Sequence, residues 1–220
     1  MSIRRYQTHA GLVIHVERPT EKDVKSLTDE FSLHPLDGEA MLRITEQSEL
    51  GSYRDYQSLQ LCLPWQVGQD SVMVDLLFFL NEKFLMIVHD TPERTVHTAL
   101  ERLETLPDAT PLQVLTDTLV DIGAQAERSI PRDMTEASRA YLLRAWTTME
   151  QFMGQEEIHL DIADQSAWRL AIHRLKHVDR LLDEPQAVLP SNIVDRSPRA
   201  AMSYAIVSVL LFITVLWALH

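Results

Sequence analysis

The sequence predicts an α/β domain with a mixed sheet and flanking helices, followed by a helical hairpin and one C-terminal transmembrane helix. Three observations lead to this fold class. Over residues 1–130, short apolar or alternating segments typical of strands alternate with segments of helical periodicity. Two longer helical patterns follow over residues 131–184. An uncharged apolar run of bilayer length then occupies residues 200–219.

Four segments have the composition of β-strands. GLVIHV at residues 11–16 is a short apolar run. YQSLQLCL at residues 56–63 alternates polar and apolar side chains, which is the period of a half-buried strand. SVMVDLLFFL at residues 71–80 and FLMIVH at residues 84–89 are separated by a three-residue polar turn. This spacing predicts that the last two strands form a hairpin.

Helices are expected between and after these strands. Thr20 and Asp23 have the spacing of a capping box and predict the start of the first helix. A second helix is expected over residues 37–44, after a proline turn. A third should run from Thr91-Pro92 to about residue 106, and a fourth should begin at Thr110 with leucines along one face.

The segment 131–184 is expected to be helical throughout, apart from a break at residues 157–164. Apolar side chains recur at helical spacing over residues 135–152 and again over residues 166–183. We expect these two helices to pack as an antiparallel hairpin. Three prolines then mark residues 185–199 as a linker.

The last apolar run, AAMSYAIVSVLLFITVLWAL at residues 200–219, contains no charged residue and no proline. A helix rises about 1.5 Å per residue, so this run matches a hydrocarbon core of about 30 Å. Tyr204 and Trp217 stand near its two ends, where aromatic side chains favour the membrane interface. The alternative is a buried helix of a soluble domain, but such helices are usually shorter and carry some polar residues.

Basic residues predict the orientation of this span. Arg196 and Arg199 precede it, whereas only His220 follows it. The positive-inside rule therefore places residues 1–198 in the cytoplasm. The sequence thus predicts a single-pass, tail-anchored membrane protein whose N-terminal domain is cytoplasmic.

Composition excludes several classes of function. The net charge is -12, with 32 acidic against 20 basic residues, so a nucleic-acid partner is not expected. Cys62 is the only cysteine, which rules out an internal disulfide and a cysteine-rich zinc site. The sequence has no GxSxG, P-loop or GxGxxG motif. We therefore expect that the protein is not an enzyme.

Several segments occur in a specific order over about residues 10–130. A strand leads into a helix start at Pro19, the turn FSLHPL follows at residues 31–36, and a strand comes after Tyr53 and Tyr56. A strand–turn–strand unit and the leucine-rich helix TPLQVLTDTLVDI complete the order. Together these segments resemble the cytoplasmic domain of the CorA-like family of magnesium and divalent-cation transporters.

The resemblance implies a cytoplasmic α/β domain, long stalk helices and two transmembrane helices in a pentameric channel for magnesium, cobalt, nickel or zinc. It therefore implies a homo-oligomer, and a pentamer if this chain follows the family. The selectivity filter of the family is a Gly-Met-Asn motif after the first span, and this motif does not occur here. With one span, the chain ends where that filter is expected. The sequence thus predicts an accessory or regulatory protein of divalent-cation transport that is pore-deficient on its own. The alternative is a tail-anchored scaffold with no ion-linked role.

Two positions depart from the family pattern. The pair Glu39-Ala40 stands where the family has Glu-Asp, and that Asp is linked in the family to cation sensing between subunits. The segment 47–49, Gln-Ser-Glu, stands where the family has a basic element. Both changes question whether this chain retains the regulatory contacts of the family.

Four residues are candidate metal ligands. His173 and His177 are four residues apart on a predicted helix, a spacing that can bind a transition metal. Glu156 and Glu157 can bind hydrated Mg²⁺, which needs only one or two carboxylates. The alternative in both cases is a solvated helix surface. Mg²⁺ or another divalent cation is the ion that these groups would take.

Overall fold

The computed structural model of the protein describes residues 3–43, 47–67, 70–90, 94–103, 108–129, 135–155 and 162–183. The chain divides into one compact unit, Met1–Glu184, and a second, Pro185–His220. The expected linker at 185–199 and the expected transmembrane helix at 200–219 lie outside the described residues, which end at residue 183. Among the helices that are described, none combines the length and the apolar character needed to cross a bilayer.

The described residues form one six-stranded mixed sheet. Its strands are β1 (Ile3–Gln7), β2 (Leu12–Glu17), β3 (Glu49–Ser52), β4 (Gln57–Val67), β5 (Asp70–Leu80) and β6 (Phe84–His89). Their order across the sheet is β1-β2-β6-β5-β4-β3. Neighbouring strands are antiparallel except for β2 and β6, which are parallel. The mixed sheet and the β5–β6 hairpin predicted from the sequence are thus confirmed.

The described parts of the chain contain six helices. They are α1 (Glu21–Phe31), α2 (Pro35–Ala40), α3 (Arg94–Leu103), α4 (Pro111–Ser129), α5 (Glu136–Met153) and α6 (Ile162–Asp183). The indole Nε1 of Trp168 donates to the carbonyl oxygen of Met149, and Arg139 Nε donates to Asp179 at 2.7 Å. Because later residues of α6 meet earlier residues of α5, these two helices pack as the predicted antiparallel hairpin.

The helices cover the two faces of the sheet unequally. Side chains alternate between the faces, as the pleat of a strand requires. Phe78 packs in the apolar core that α3, α4, α5 and α6 share with the sheet, and we call this side the four-helix face. The next residue, Phe79, packs in a smaller core with α1 and with residues beside α2, and we call this side the two-helix face.

The helix starts follow the capping rules. The side chain of Thr20 accepts from the backbone N–H of Asp23, and the Asp23 carboxylate accepts from the N–H of Thr20. This reciprocal pair is the capping box predicted from the sequence. Thr135 caps α5 by accepting from the N–H of Ser138. Thr110 has a similar exchange of bonds with Gln113 before α4.

Several element boundaries differ from the prediction. The strands β1 and β3 were not expected, and β4 continues past residue 63 to Val67. Helix α2 begins and ends earlier than the expected 37–44. Helix α6 begins at Ile162, so residues 162–164 are helical where a break was expected. The expected starts and ends of α3 at 91–93 and 104–106 lie outside the described residues.

Candidate functional site

The carboxyl ends of β2 and β6 meet at one edge of the sheet because these neighbouring strands run parallel. Glu17 at the end of β2 lies opposite His89 at the end of β6. Ligands of open α/β sheets commonly bind outside the carboxyl ends of the strands. This edge is therefore the first place to look for a functional site.

Arg18 fixes the two strand ends to each other. Its φ of 49° lies in the left-handed region, which residues other than glycine rarely adopt. Its backbone N–H donates to the carbonyl oxygen of His89 at 2.8 Å, and its Nε donates to the carbonyl oxygen of Asp90 at 2.6 Å. These bonds hold a strained backbone conformation, and such conformations concentrate at functional sites.

A pair of buried histidines lies beside this edge. His15 from β2 is 1% exposed and His89 from β6 is 2% exposed. Their Nε2 atoms are 2.7 Å apart, so one imidazole donates its N–H to the lone pair of the other. The ring centroids are 5.0 Å apart and the ring planes are inclined to each other by 26°. Alternation along both strands directs these side chains to the four-helix face.

His97 from α3 completes what we call the histidine cluster, namely His15, His89 and His97. The His97 ring meets the other two nearly at right angles, with centroids 5.0 Å from His15 and 6.1 Å from His89. Its Nε2 lies 3.9 Å from the carboxylate Oε2 of Glu17. The side chains of His97 and Glu17 are 30% and 32% exposed, so they form the outer side of the cluster.

Burial determines the charge of the innermost histidine. Desolvation lowers the pKa of His15 to about 3, and repulsion from His89, His97 and Arg4 acts in the same direction. His15 is therefore neutral at physiological pH. Its Nδ1 is buried and has no hydrogen-bond partner among the described residues. A neutral imidazole is the form that ligates metal ions.

Two clefts open on the two-helix face, where the short helices leave part of the sheet uncovered. The larger has a volume of about 380 Å³ and the smaller about 200 Å³. Ala40, Arg43 and Leu77 line both of them. The smaller cleft reaches Arg18 and His89 at the strand edge. Charged residues of both signs therefore border each opening.

A hydrogen-bonded tyrosine holds α2 beside the larger cleft. The Tyr56 hydroxyl donates to the carboxylate of Asp37 and accepts from the backbone N–H of His34 at 2.7 Å. Burial, followed by the hydrogen bond to Asp37, raises the pKa of Tyr56. The Tyr53 ring stacks on Tyr56 and on His34, with centroid separations of 4.7 Å and 5.4 Å. This network connects the turn FSLHPL to the sheet.

The two departures from the family pattern border the larger cleft. Glu39, Ala40 and Glu49 are among its lining residues. Ser48, the middle residue of the second departure, accepts from the backbone N–H of Cys62 at 3.0 Å through its hydroxyl. The sequence changes therefore fall on one open surface of the two-helix face.

The structure describes two of the four metal ligands predicted from the sequence. His173 and His177 are exposed on α6, one turn apart as their spacing predicts. Glu156 and Glu157 lie outside the described residues. Metal binding by these four residues therefore stays a prediction. Within the described residues, no group of three or more His, Cys, Asp or Glu side chains is placed so that it could hold a metal ion.

The histidine cluster was missed by sequence reasoning. His15 and His89 are 74 residues apart and meet only because β2 and β6 pair in parallel. The available signal was a histidine in each of two strands that are otherwise apolar, GLVIHV and FLMIVH. A buried polar side chain needs a partner, so two such strands could have been paired on that ground.

The sequence and fold were compared with known proteins. A family model described as CorA-like Mg²⁺ transporter protein matches residues 12–132. This stretch is more than half of the 220-residue chain. No curated protein matches the sequence.

Solved structures of similar fold include three with low sequence identity. The ZntB cytoplasmic domain from Vibrio parahaemolyticus has a TM-score of 0.63 at 9% identity, covering 80% of this chain and 82% of that one. The soluble domain of CorA from Methanocaldococcus jannaschii has a TM-score of 0.61 at 10% identity, covering 79% and 82%. These identities establish similarity of fold alone.

A third similar structure is longer than the part that matches. The full-length CmaX protein has a TM-score of 0.63 at 16% identity, with 79% of this chain covered. The match spans 63% of the CmaX chain, which is less than two thirds of its length.

Proposed function

We propose that this chain, which belongs to the family of CorA-like Mg²⁺ transporter proteins, acts as an accessory or regulatory subunit in the transport of Mg²⁺ or another divalent cation. The observation that carries this proposal is the extent of the family match. It begins at Leu12, the first residue of β2, and continues past Ser129, the last residue of α4. The match therefore includes the parallel strand pair and the helices that follow it.

The similar structures support a role connected with cations. One of them is the complete CorA magnesium transporter from M. jannaschii, with a TM-score of 0.64 at 9% identity. It covers 81% of this chain, and the match spans 66% of the transporter chain. Because fold does not fix function, the link to ion transport remains our proposal and needs a direct test.

We propose that the chain does not build a selectivity filter by itself. A filter replaces the hydration shell of the ion with a ring of oxygen atoms. The Gly-Met-Asn motif associated with that ring is absent from the 220 residues, and none of the six glycines is followed by Met or Ile. An accessory or regulatory role is consistent with this composition.

We propose that residues 200–219 cross the bilayer once and that residues 1–198 lie in the cytoplasm. The length and apolar composition of the run support the crossing. Arg196 and Arg199 on one side support the orientation. We further propose that the protein assembles as a homo-oligomer, with a pentamer as the expected form, and that it has no enzymatic activity.

Ion uptake in cells tests this function. The full chain would be expressed in cells lacking their own magnesium transport, alone and together with a functional CorA-like transporter. We expect no uptake from the chain alone and a changed rate of Mg²⁺ or Co²⁺ uptake when the transporter is present. The matched control is the Phe78→Ala variant, which should lose the effect because its sheet domain is destabilised.

The outcomes separate the two candidate functions. Robust uptake by the chain alone would contradict pore deficiency. No effect on the co-expressed transporter, together with a monomer in mild detergent, would favour a tail-anchored scaffold with no ion-linked role. A pentamer in detergent would support the transport-related proposal.

A further inference from the structure

The two buried histidines of the histidine cluster face each other through the same ring atom. Their Nε2 atoms are 2.7 Å apart, and His15 and His89 are only 1% and 2% exposed. One of these nitrogens donates and the other accepts, so the contact has room for a single proton. A second proton at this point would set two N–H groups against each other. The packed arrangement therefore depends on the protonation state of the pair.

Burial also opposes a charge on His15 through its other nitrogen. A protonated imidazole carries an N–H at both ring nitrogens. The Nδ1 of His15 is buried and has no hydrogen-bond partner among the described residues. Protonation would thus leave a charged donor unsatisfied in the core, which is costly. Release of the ring to water removes this cost.

Charged groups reach the cluster from several elements. On β1, Arg4 lies opposite His15 and repels a positive charge there. On β2, the carboxylate of Glu17 lies 3.9 Å from His97, on the outer side. On α3, Glu101 stands one turn after His97 and is exposed. The buried residues that β5 and α4 contribute on this side of the sheet are uncharged, for example Leu76, Leu115 and Thr118.

The charges beyond the strand ends lie on the other side of the sheet. Arg18 and Asp90 follow β2 and β6, and both border the smaller cleft of the two-helix face. The Nε of Arg18 donates to the backbone carbonyl oxygen of Asp90. These two residues therefore hold the strand ends together and do not provide a counter-charge inside the cluster.

Helix α3 is the element that can separate from the cluster. Its ten described residues are fewer than an isolated helix needs to be stable in water. Val96, Leu100 and Leu103 hold it in the core of the four-helix face, and the His97 ring contacts both buried imidazoles. Among the described helices, α3 packs chiefly against α4. Its departure leaves the sheet and the remaining helices in contact.

From this arrangement we propose that the histidine cluster is a pH-sensitive switch, which holds α3 against the ends of β2 and β6 near neutral pH and releases it in acid. Release lets water reach His15 and His89, which then take up protons as free histidines do. The switch would couple the conformation of the domain to pH. It does not depend on whether the protein takes part in transport.

One contact acts in the opposite direction. Protonated His97 attracts Glu17, which favours the packed state in acid. Their side chains are 30% and 32% exposed, and an ion pair in such a position contributes little because water screens it. The buried pair therefore decides the sign, and acid favours release.

The pH range of the switch follows from His15. Burial lowers its pKa to about 3 in the packed state, whereas a free histidine has a pKa of about 6.5. The released state therefore binds more protons below pH 6.5, and the packed state loses stability as the pH falls. Between pH 7 and pH 5 one such histidine shifts the opening equilibrium by about 25-fold.

Hydrogen exchange of the full-length chain in mild detergent tests the proposal. The affinity tag is removed and a chelator is present. Protection factors at pH 7 and pH 5, each corrected for the intrinsic exchange rate at that pH, report the opening of each segment. We expect the protection of the α3 amides to fall by about 25-fold or more. At pH 5 these amides should be less protected than those of α5 and less sensitive to low urea, since a local opening exposes little surface.

Two variants test the buried pair. In His15→Asn the new amide carries both a donor and an acceptor, so His89 has a partner in either protonation state. The loss of α3 protection between pH 7 and pH 5 should then shrink to about fivefold or less. The matched control His173→Gln/His177→Gln removes two exposed histidines from α6 and should keep the wild-type response. Circular dichroism at pH 7 checks that each variant is folded.

A third variant acts on the outer side of the cluster and leaves the buried pair intact. Glu17→Gln removes the negative charge beside His97, so the packed state loses its one favourable contact in acid. We expect α3 protection at pH 5 to be lower than in the wild type by about two- to fivefold, with little change at pH 7. This measurement tests the switch even if His15→Asn does not fold.

Several outcomes would overturn the proposal. The first is α3 protection that does not change between pH 7 and pH 5. The second is equal protection and equal urea dependence of α3 and α5 at pH 5, which would mean that acid acts only by unfolding the whole domain. The third is a full wild-type response in His15→Asn, or loss of the response in the control on α6. Higher α3 protection in Glu17→Gln would contradict it as well. None of these results depends on the uptake measurements that test the proposed function.

Discussion

The two faces of the sheet are built from the same strands but are covered very differently. On the four-helix face, strand residues such as Leu61, Leu76 and Phe78 are sealed beneath α3 to α6 in a continuous apolar core. On the two-helix face, the short helices α1 and α2 leave two clefts. There the sheet presents Gln60 and Asp75, joined by hydrogen bonds at 2.8 and 3.0 Å.

This difference indicates a division of roles between the faces. A dry core of large apolar side chains supplies most of the hydrophobic stabilisation. A polar, incompletely covered face contributes less, but it leaves charged groups where a partner or ion can reach them. The predictions below test whether stability is indeed concentrated on the four-helix face.

The largest expected effect comes from Phe78 and Phe79, which are adjacent on β5 and both 0% exposed. We expect Phe78→Ala to lower the free energy of unfolding by about 5 kcal/mol and Phe79→Ala by about 3 kcal/mol. The reason is that a cavity on the four-helix face cannot collapse, whereas the two-helix face lies beside clefts that allow relaxation. Urea unfolding of the full chain, followed by tryptophan fluorescence, measures both values.

These two variants control for each other, because they remove the same side chain from the same strand. If Phe79→Ala proved as costly as Phe78→Ala, the two-helix face would be packed as rigidly as the other. The proposed division of roles would then be wrong.

The next effect is the pH dependence of stability, which should differ between the faces. On the four-helix face, the pKa of His15 is lowered to about 3 in the folded protein. The unfolded chain therefore binds more protons, and stability should fall by about 1.4 kcal/mol per pH unit as the pH drops below about 6.5. On the two-helix face, the pKa of Tyr56 is raised. Its contribution should be lost as the pH rises above about 10.

Unfolding measured from pH 4 to pH 11, with a chelator present, separates these contributions. His15→Asn should flatten the acid side of the profile and leave the alkaline side unchanged. Tyr56→Phe should do the reverse. An acid slope that persists in His15→Asn would assign the proton uptake to another group.

Much of this fold could be predicted from local sequence. The capping box at Thr20 and the β5–β6 hairpin were correct because their signals lie within a few residues. β1, with the sequence IRRYQ, was missed because its charged residues hide the strand pattern, and only pairing with β2 stabilises it. β3 was missed for a similar reason, since it is four residues long and contains a glycine.

The end of β4 was predicted too early. The alternating pattern was expected to stop at residue 63, just before Pro64, which cannot donate a backbone hydrogen bond. In the structure β3 pairs only with residues 57–60, so Pro64 lies where that side of β4 has no β3 partner. Proline is tolerated at such an edge position. The histidine cluster was missed for a broader reason, because it depends on which strands pair.

The smallest effect concerns the helix caps, one on each face. Thr20→Ala removes the cap of α1 and Thr135→Ala removes the cap of α5, and each should cost about 1 kcal/mol of stability. Hydrogen exchange distinguishes them. If the two-helix face opens independently, Thr20→Ala should speed exchange of the α1 amides by about fivefold and leave the α5 amides nearly unchanged.

The cap of α5 should behave in the opposite way. Because α5 shares the core of the four-helix face through Leu142, Met149 and Phe152, its amides exchange only when most of the domain unfolds. Thr135→Ala should therefore speed exchange across α5, α6 and the central strands together, with little effect specific to α1. Equal and uniform acceleration by both variants would mean that the two faces unfold as one unit. The unequal covering of the sheet would then be a difference of surface and not of stability.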